Sequence, residues 1–176
     1  AMKFVGPTRK KIGKRTIFNM IGPLSSPALV DRQVVGVYDK NLLKIFADAL
    51  RNLNIKFAWI VNSEDGLDEI SPYTKTNIVQ LKNGEISEII IDPKELHINA
   101  NKFDDLLGDD AKFNANKMID IFQGKDNDFS KAVCLNAAAG LIVTEKNLKF
   151  KDAYDSARSH ILSGKTFKNL KKIQNV

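Results

Sequence analysis

Residues 32 to 62 constrain this chain most: RQVVGVYD (32 to 39), KNLLKIFADALRNLN (40 to 54) and, after two residues, FAWIVN (57 to 62). The outer two segments are compact apolar runs without polar alternation, the pattern of strands buried on both faces. Between them Leu42, Leu43, Phe46, Leu50 and Leu53 recur at helical spacing, and Asp39 stands where a helix cap belongs. Strand, helix, strand over about thirty residues is a parallel βαβ unit, and its crossover is expected to be right-handed. Ligands of such sheets gather beyond the carboxyl ends of the strands, which directs attention to the loop after FAWIVN.

The pattern changes beyond residue 74. TNIVQL and EISEIII flank Lys82-Asn83-Gly84, and Asn-Gly between two β-rich runs is a strong hairpin signal. Helical patterns follow over roughly 110 to 123, 130 to 145, 151 to 163 and 166 to 175, and the second contains NAAAG, a small-residue face that admits close packing. The expected fold is therefore α/β: a largely parallel sheet with an antiparallel hairpin and flanking helices. At 176 residues, 43% hydrophobic, the chain can bury one core and is read as a single domain over 1 to 176. Asn136 interrupts the most apolar stretch, AVCLNAAAGLIV, so no membrane span is expected. No signal peptide is visible. Cys134 is the one cysteine; it is expected to be buried and inert, in a reducing cytoplasm.

The net charge is +6, with Lys3, Arg9, Lys10, Lys11, Lys14 and Arg15 at one end and Lys165, Lys168, Lys171 and Lys172 at the other. Basic ends suit a phosphorylated small molecule, a nucleic acid, or solubility alone. Ahead of the βαβ unit, AMKFVGPTRKKIG reads as a short helix with a basic face, weakened by Gly6 and Pro7. TIFNMIGPLSSP (16 to 27) runs an apolar segment straight into Gly22-Pro23. That break is either a helix stop with a surface turn or a preformed wall for a small ligand. The strand-end loop SEDGLDEIS (63 to 71) gathers Glu64, Asp65, Asp68 and Glu69 around Gly66. It reads either as a solvated loop with a capping aspartate, or as a holder of Mg2+ through one or two carboxylates, with water and a substrate phosphate completing the shell. Its place at a strand end favours the second. Tyr38, near the end of the first strand, would neighbour such a site. His97 and His160 have neither metal-ligand nor catalytic spacing, and Trp59 is expected in the core.

These segments, with LNAAAGLIV and SARSHILSGKTFKNLKKI, run in collinear order through nearly the whole chain, and together they resemble the carboxyl-terminal half to two-thirds of the anthranilate phosphoribosyltransferases. RTIFNMIGPL with DGLDE carries the resemblance most specifically. It implies the catalytic domain shared by nucleoside phosphorylases and phosphoribosyltransferases, and the transfer of phosphoribose from phosphoribosyl pyrophosphate to the amino group of anthranilate in tryptophan biosynthesis. It implies Mg2+ as cofactor and a homodimeric complete enzyme, with no membrane and no nucleic acid as partner. Catalysis would come from positioning and from stabilising charge on the departing pyrophosphate.

Carried over by position, Arg9 matches the arginine that contacts anthranilate, a role that suits the planar guanidinium fork better than the neighbouring lysines. Gly22 and Pro23 match the wall of the anthranilate channel, where they would offer bare backbone and a rigid ring to a flat substrate. Asp68 and Glu69 match the acidic pair that binds Mg2+ with the pyrophosphate donor. The family's glycine-rich pyrophosphate loop (GTGGD), its basic segment (KHGN) and its amino-terminal helical domain are missing from the 176 residues. The chain is accordingly expected to be a fragment, inactive by itself, with self-association through bared surfaces. Two alternatives stand beside this reading: a non-enzymatic nucleic-acid-binding relative on the same fold, and a pyrimidine nucleoside phosphorylase. RTIFNMIGPL with DGLDE fits the transferase better than the phosphorylase. The acidic loop would repel a phosphate backbone in the absence of metal.

Overall fold

A computed structural model describes residues 2–14, 16–101, 103–144 and 148–174, with the side chains of residues 2 to 4 and of Arg9 outside that description. Four strands lie in the order β1 (Arg32–Gly36), β2 (Phe57–Ser63), β3 (Thr76–Lys82) and β4 (Glu85–Ile91). The helices are α1 (Met2–Ile12), α2 (Leu42–Asn52), α3 (Ala111–Phe122), α4 (Asp128–Val143), α5 (Phe150–Leu162) and α6 (Lys165–Gln174). All the elements expected from the sequence are present, the basic amino-terminal helix included. The stretch 16 to 27 makes only a 3₁₀ turn at Ile17–Asn19 before the Gly22-Pro23 break.

β1 and β2 pair in parallel, with Arg32 opposite Phe57 and Gly36 opposite Val61. β2 with β3 and β3 with β4 are antiparallel. The α/β class stands, and the sheet is mixed: the expectation of a largely parallel sheet narrows, among the described residues, to the β1–β2 pair. The hairpin turn sits on Asn83 (φ 50°) and Gly84 (φ 85°), the left-handed pair that makes Asn-Gly so strong a signal. The first strand ends at Gly36 rather than continuing to Asp39, although the Val37 N–H still donates to Val61 O at 3.0 Å. Asp39 does not cap α2. Its Oδ1 accepts the N–H of Asn41, the actual cap residue, at 2.9 Å, so the chain turns once more before the helix begins.

The sheet separates two apolar cores. On one face α2 contributes Leu43, Phe46, Ala47 and Leu50 to a cluster with Val35, Val37, Ala58, Ile60, Val79 and Leu81. On the other, α4 and α5 lie over Phe57, Trp59, Val61, Ile70 and Ile78, and the small residues Ala138 and Ala139 of α4 are fully buried, as the NAAAG face anticipates. β2 serves both cores and is buried along its whole length. Its alternation therefore sorts size, not polarity: Phe57, Trp59 and Val61 face one side, Ala58 and Ile60 the other. Trp59 also donates its indole N–H to Gln80 Oε1 at 3.0 Å, which satisfies the polar handle of a buried ring. Cys134 is buried in the α4 core, where loss of hydration pushes its thiol up to about 11. His97 and His160 are both exposed. No helix among the described residues is long and apolar enough to cross a membrane.

Candidate functional site

The loop from 64 to 75 joins β2 to β3 at the carboxyl ends of the parallel strands, and a knot of hydroxyls holds its two ends together. Ser63 Oγ donates to Glu69 O at 2.5 Å and lies 2.6 Å from Thr76 Oγ1. Because Ser63 has committed its one proton to Glu69, the hydroxyl of Thr76 is the donor in that second contact. The Ser71 N–H reaches both oxygens, at 3.1 Å and 3.2 Å, while the Ser71 hydroxyl donates to Asp65 Oδ2 at 2.6 Å. Ser63, Ser71 and Thr76 are all buried, so these bonds form away from competing water. Asp65 Oδ1 meanwhile accepts from the Leu67 N–H at 3.3 Å. Of the four carboxylates that the sequence gathers here, Asp65 is thus occupied in shaping the loop.

Asp68 and Glu69 project from the far bend of this loop and are exposed. Three elements seat the backbone that carries them. Gly36 of β1 packs so tightly beneath Asp68 that a Cβ on that glycine would stand 1.7 Å from the Asp68 carbonyl oxygen. Ser63 of β2 binds Glu69 O. Asn136 of α4 accepts the Ile70 N–H at 2.9 Å and donates to Ile70 O at 3.1 Å, and the Ile70 side chain is fully buried in the larger core. The Glu69 carboxyl is held above the ordinary glutamate range, first because nearby protein strips part of its hydration and then because Asp68 is adjacent.

A pair of hard carboxylate oxygens on an anchored bend is a donor set that fits Mg2+, which takes one or two protein carboxylates and fills its other positions with water and phosphate. The described residues contain no group of three or more His, Cys, Asp or Glu able to hold a metal by themselves. Beside the loop lies an open recess of about 530 Å3 lined by Tyr38, Asp39, Lys40, Asn62, Ser63, Glu64, Gly66 and Asn77. Tyr38 lines this recess together with Glu64 and Gly66, whereas Asp68 and Glu69 are not among its lining residues. Asn62 stabilises the floor by donating to Val37 O at 2.8 Å.

The other residues singled out in the sequence lie elsewhere. Gly22 is exposed, and its missing side chain would meet nothing within 4 Å. Pro23 lines a recess of about 290 Å3 with residues 29 to 31, Gln33 and residues 53 to 55, at the amino end of β1. That is the opposite end of the strands from Asp68 and Glu69. Arg9 falls on α1, and its side chain lies outside the described residues. Asp68 and Glu69 stand side by side on one seated bend, and the structure does not join Gly22 and Pro23 to them.

Residues 1–167 match the family model described as the glycosyl transferase family, a/b domain. The chain belongs to that glycosyl transferase family. Among curated members it is 81% identical over 176 residues to the anthranilate phosphoribosyltransferase of Pelagibacter ubique, covering 100% of this chain and 53% of that one. It is 38% identical over 164 residues to the enzyme of the same name from Alkaliphilus metalliredigens, covering 93% of this chain and 48% of that one. The chain spans about half the length of the curated relatives it matches. Among solved structures, the Saccharomyces cerevisiae anthranilate phosphoribosyltransferase in complex with 4-fluoroanthranilate superposes with a TM-score of 0.86 at 25% identity, covering 97% of this chain and 50% of that one. The same yeast protein in complex with PRPP and Mg gives a TM-score of 0.85 at 25% identity, covering 97% and 49%. The α/β fold of this glycosyl transferase family member is thus that of anthranilate phosphoribosyltransferases, and none of these relatives supports the nucleic-acid or nucleoside phosphorylase alternative.

Reading the sequence found the acidic pair in this glycosyl transferase chain but not what seats it. Gly36 lay inside an apolar strand run, and Asn136 registered only as a polar interruption in a helix. An isolated glycine within a strand pattern is the one available signal for a close backbone approach.

Proposed function

We propose that this chain supplies the metal-binding half of the site in an anthranilate phosphoribosyltransferase, whose complete form transfers phosphoribose from phosphoribosyl pyrophosphate to the amino group of anthranilate. The observation that carries the proposal is the seated Asp68-Glu69 pair at the carboxyl ends of β1 and β2, in a chain 81% identical to an enzyme of that name. Asp68 and Glu69 would hold Mg2+, which when bound neutralises charge gathering on the leaving pyrophosphate. Their own part is to present their carboxylates from a backbone that is already seated when the donor arrives. Arg9 would take the anthranilate carboxylate. Gly22 and Pro23, carried over by position alone, would wall the path of the aromatic ring. Residues 1 to 176 form the carboxyl-terminal part of the catalytic domain, and the complete enzyme is a cytoplasmic homodimer. The activity proposed is that of the complete form, since the chain spans about half the length of the curated relatives it matches.

The test follows anthranilate consumption by fluorescence with phosphoribosyl pyrophosphate and Mg2+, using the chain alone and mixed with the amino-terminal segment of the Pelagibacter ubique relative. Turnover is expected only in the mixture, and Asp68→Asn with Glu69→Gln should reduce it at least about a hundredfold, in line with loss of a metal ligand pair. Equal turnover by the mixture with and without those two substitutions would defeat the assignment.

A further inference from the structure

We infer that Asn136 is a positioning residue for the acidic pair: its carboxamide, reaching from α4, fixes the backbone on which Asp68 and Glu69 stand. This rests on the proposal that the pair binds Mg2+. The geometry is specific. Asn136 Oδ1 accepts the Ile70 N–H at 2.9 Å, and Nδ2 donates both to Ile70 O at 3.1 Å and to Ala132 O at 2.9 Å in its own helix. The side-chain amide therefore pairs with both polar groups of one residue, as a neighbouring strand would. Its bond back to Ala132 O holds the carboxamide in the orientation that pairing needs. Ile70 directly follows Glu69, so this clamp and the bond from Ser63 Oγ to Glu69 O bracket the Glu69 peptide from two sides. On the other side of the pair, Gly36 provides the floor under Asp68.

This arrangement accounts for an asparagine in a stretch of α4 whose buried neighbours are apolar. Asn136 is half-buried, and its neighbours Leu135, Ala138 and Ala139 are fully buried. An alanine there would take both of these partners away from the Ile70 N–H and C=O at the edge of the core. Groups that orient metal-binding side chains in this way typically change metal affinity by about 10–100-fold when removed.

Paramagnetic broadening by Mn2+, competed with Mg2+, tests the inference on the 15N-labelled 176-residue chain. In the unaltered chain the amides of Asp68, Glu69 and Ile70 should broaden first, and Asp68→Asn with Glu69→Gln should abolish the effect. Asn136→Ala should keep the circular dichroism spectrum, lose exchange protection at the Ile70 amide and raise the Mn2+ midpoint about tenfold. Ile121→Val, which loosens the same core without touching the loop, should leave that midpoint unchanged. A midpoint for Asn136→Ala within twofold of the unaltered chain would overturn the positioning role while leaving the acidic pair as the metal site. Broadening that ignores Asp68 and Glu69 in the unaltered chain would instead remove the metal reading, and the inference with it.

Discussion

Replacing Gly36 by alanine sets two physical effects against each other. Strand propensity alone favours the change, because alanine loses less backbone entropy than glycine on folding, a gain of about 0.5–1 kcal/mol. Gly36 has no positive φ that would oppose a side chain. The packing says otherwise. A Cβ would stand 1.7 Å from Asp68 O, 2.7 Å from Asp68 C and 3.2 Å from Asp68 Cβ. Two of those three contacts are with backbone, which cannot swing aside as a flexible side chain can. The strand and the loop must separate by roughly 1.3 Å to regain the 3.0 Å floor that real Cβ contacts respect. Such overpacking costs about 1–3 kcal/mol. Moving the Asp68 peptide also strains the adjoining bond from Ser63 Oγ to Glu69 O, for about 1 kcal/mol more. Packing wins, with a net destabilisation of about 2 kcal/mol, or about 4–8 °C in Tm for a chain of this size. Thermal denaturation followed by circular dichroism measures the shift, and amide chemical shifts over 67 to 71 locate it. An unchanged or raised Tm with undisturbed loop resonances would refute the reasoning.

Two further outcomes follow from the titrating groups. The Glu69 carboxyl is raised by burial and by Asp68, so it binds its proton more tightly folded than unfolded; its contribution to stability is present below the unfolded value near 4.5 and is lost as pH rises through the window up to the folded value. Occupancy by Mg2+ should rise through the same window, and Asp68→Asn should lower the Glu69 pKa without returning it to 4.5, since burial remains; a carboxyl-detected NMR titration reads both. Cys134, buried and pushed up to about 11, should resist iodoacetamide at pH 8 in the folded chain and react fully in denaturant. Rapid modification of the folded chain would show that the α4 core opens far more readily than its packing implies.

The fold was legible wherever a segment had one period and one partner. Leu43, Phe46 and Leu50 announced α2, and Asn83-Gly84 announced the hairpin. Ends were less legible, because they depend on local competition: Asp39 looks like a cap, yet Asn41 takes that place once the chain turns again. Leu53 fits the helical stripe but lies past the last turn and is 52% exposed. The balance of the sheet depended on how many parallel partners β1 has, which no local pattern records. In the site, chemistry was readable and support was not. Asp68 and Glu69 stand out as adjacent charges, whereas the residues that hold them come from positions 36, 63 and 136, and that convergence exists only after folding.

The division of β2 between two cores restricts what kind of sequence change this chain can absorb. Loss or gain of a single codon within 57 to 63 would exchange its faces, sending the bulk of Phe57 and Trp59 toward the side shaped for Ala58 and Ile60. No compensating substitution at one site restores both sides at once. Length variation should therefore collect in connections such as 92 to 110, while β2 keeps its residue count even where its residues change. In a library of random single-codon deletions, that strand would appear as a gap among the folded survivors.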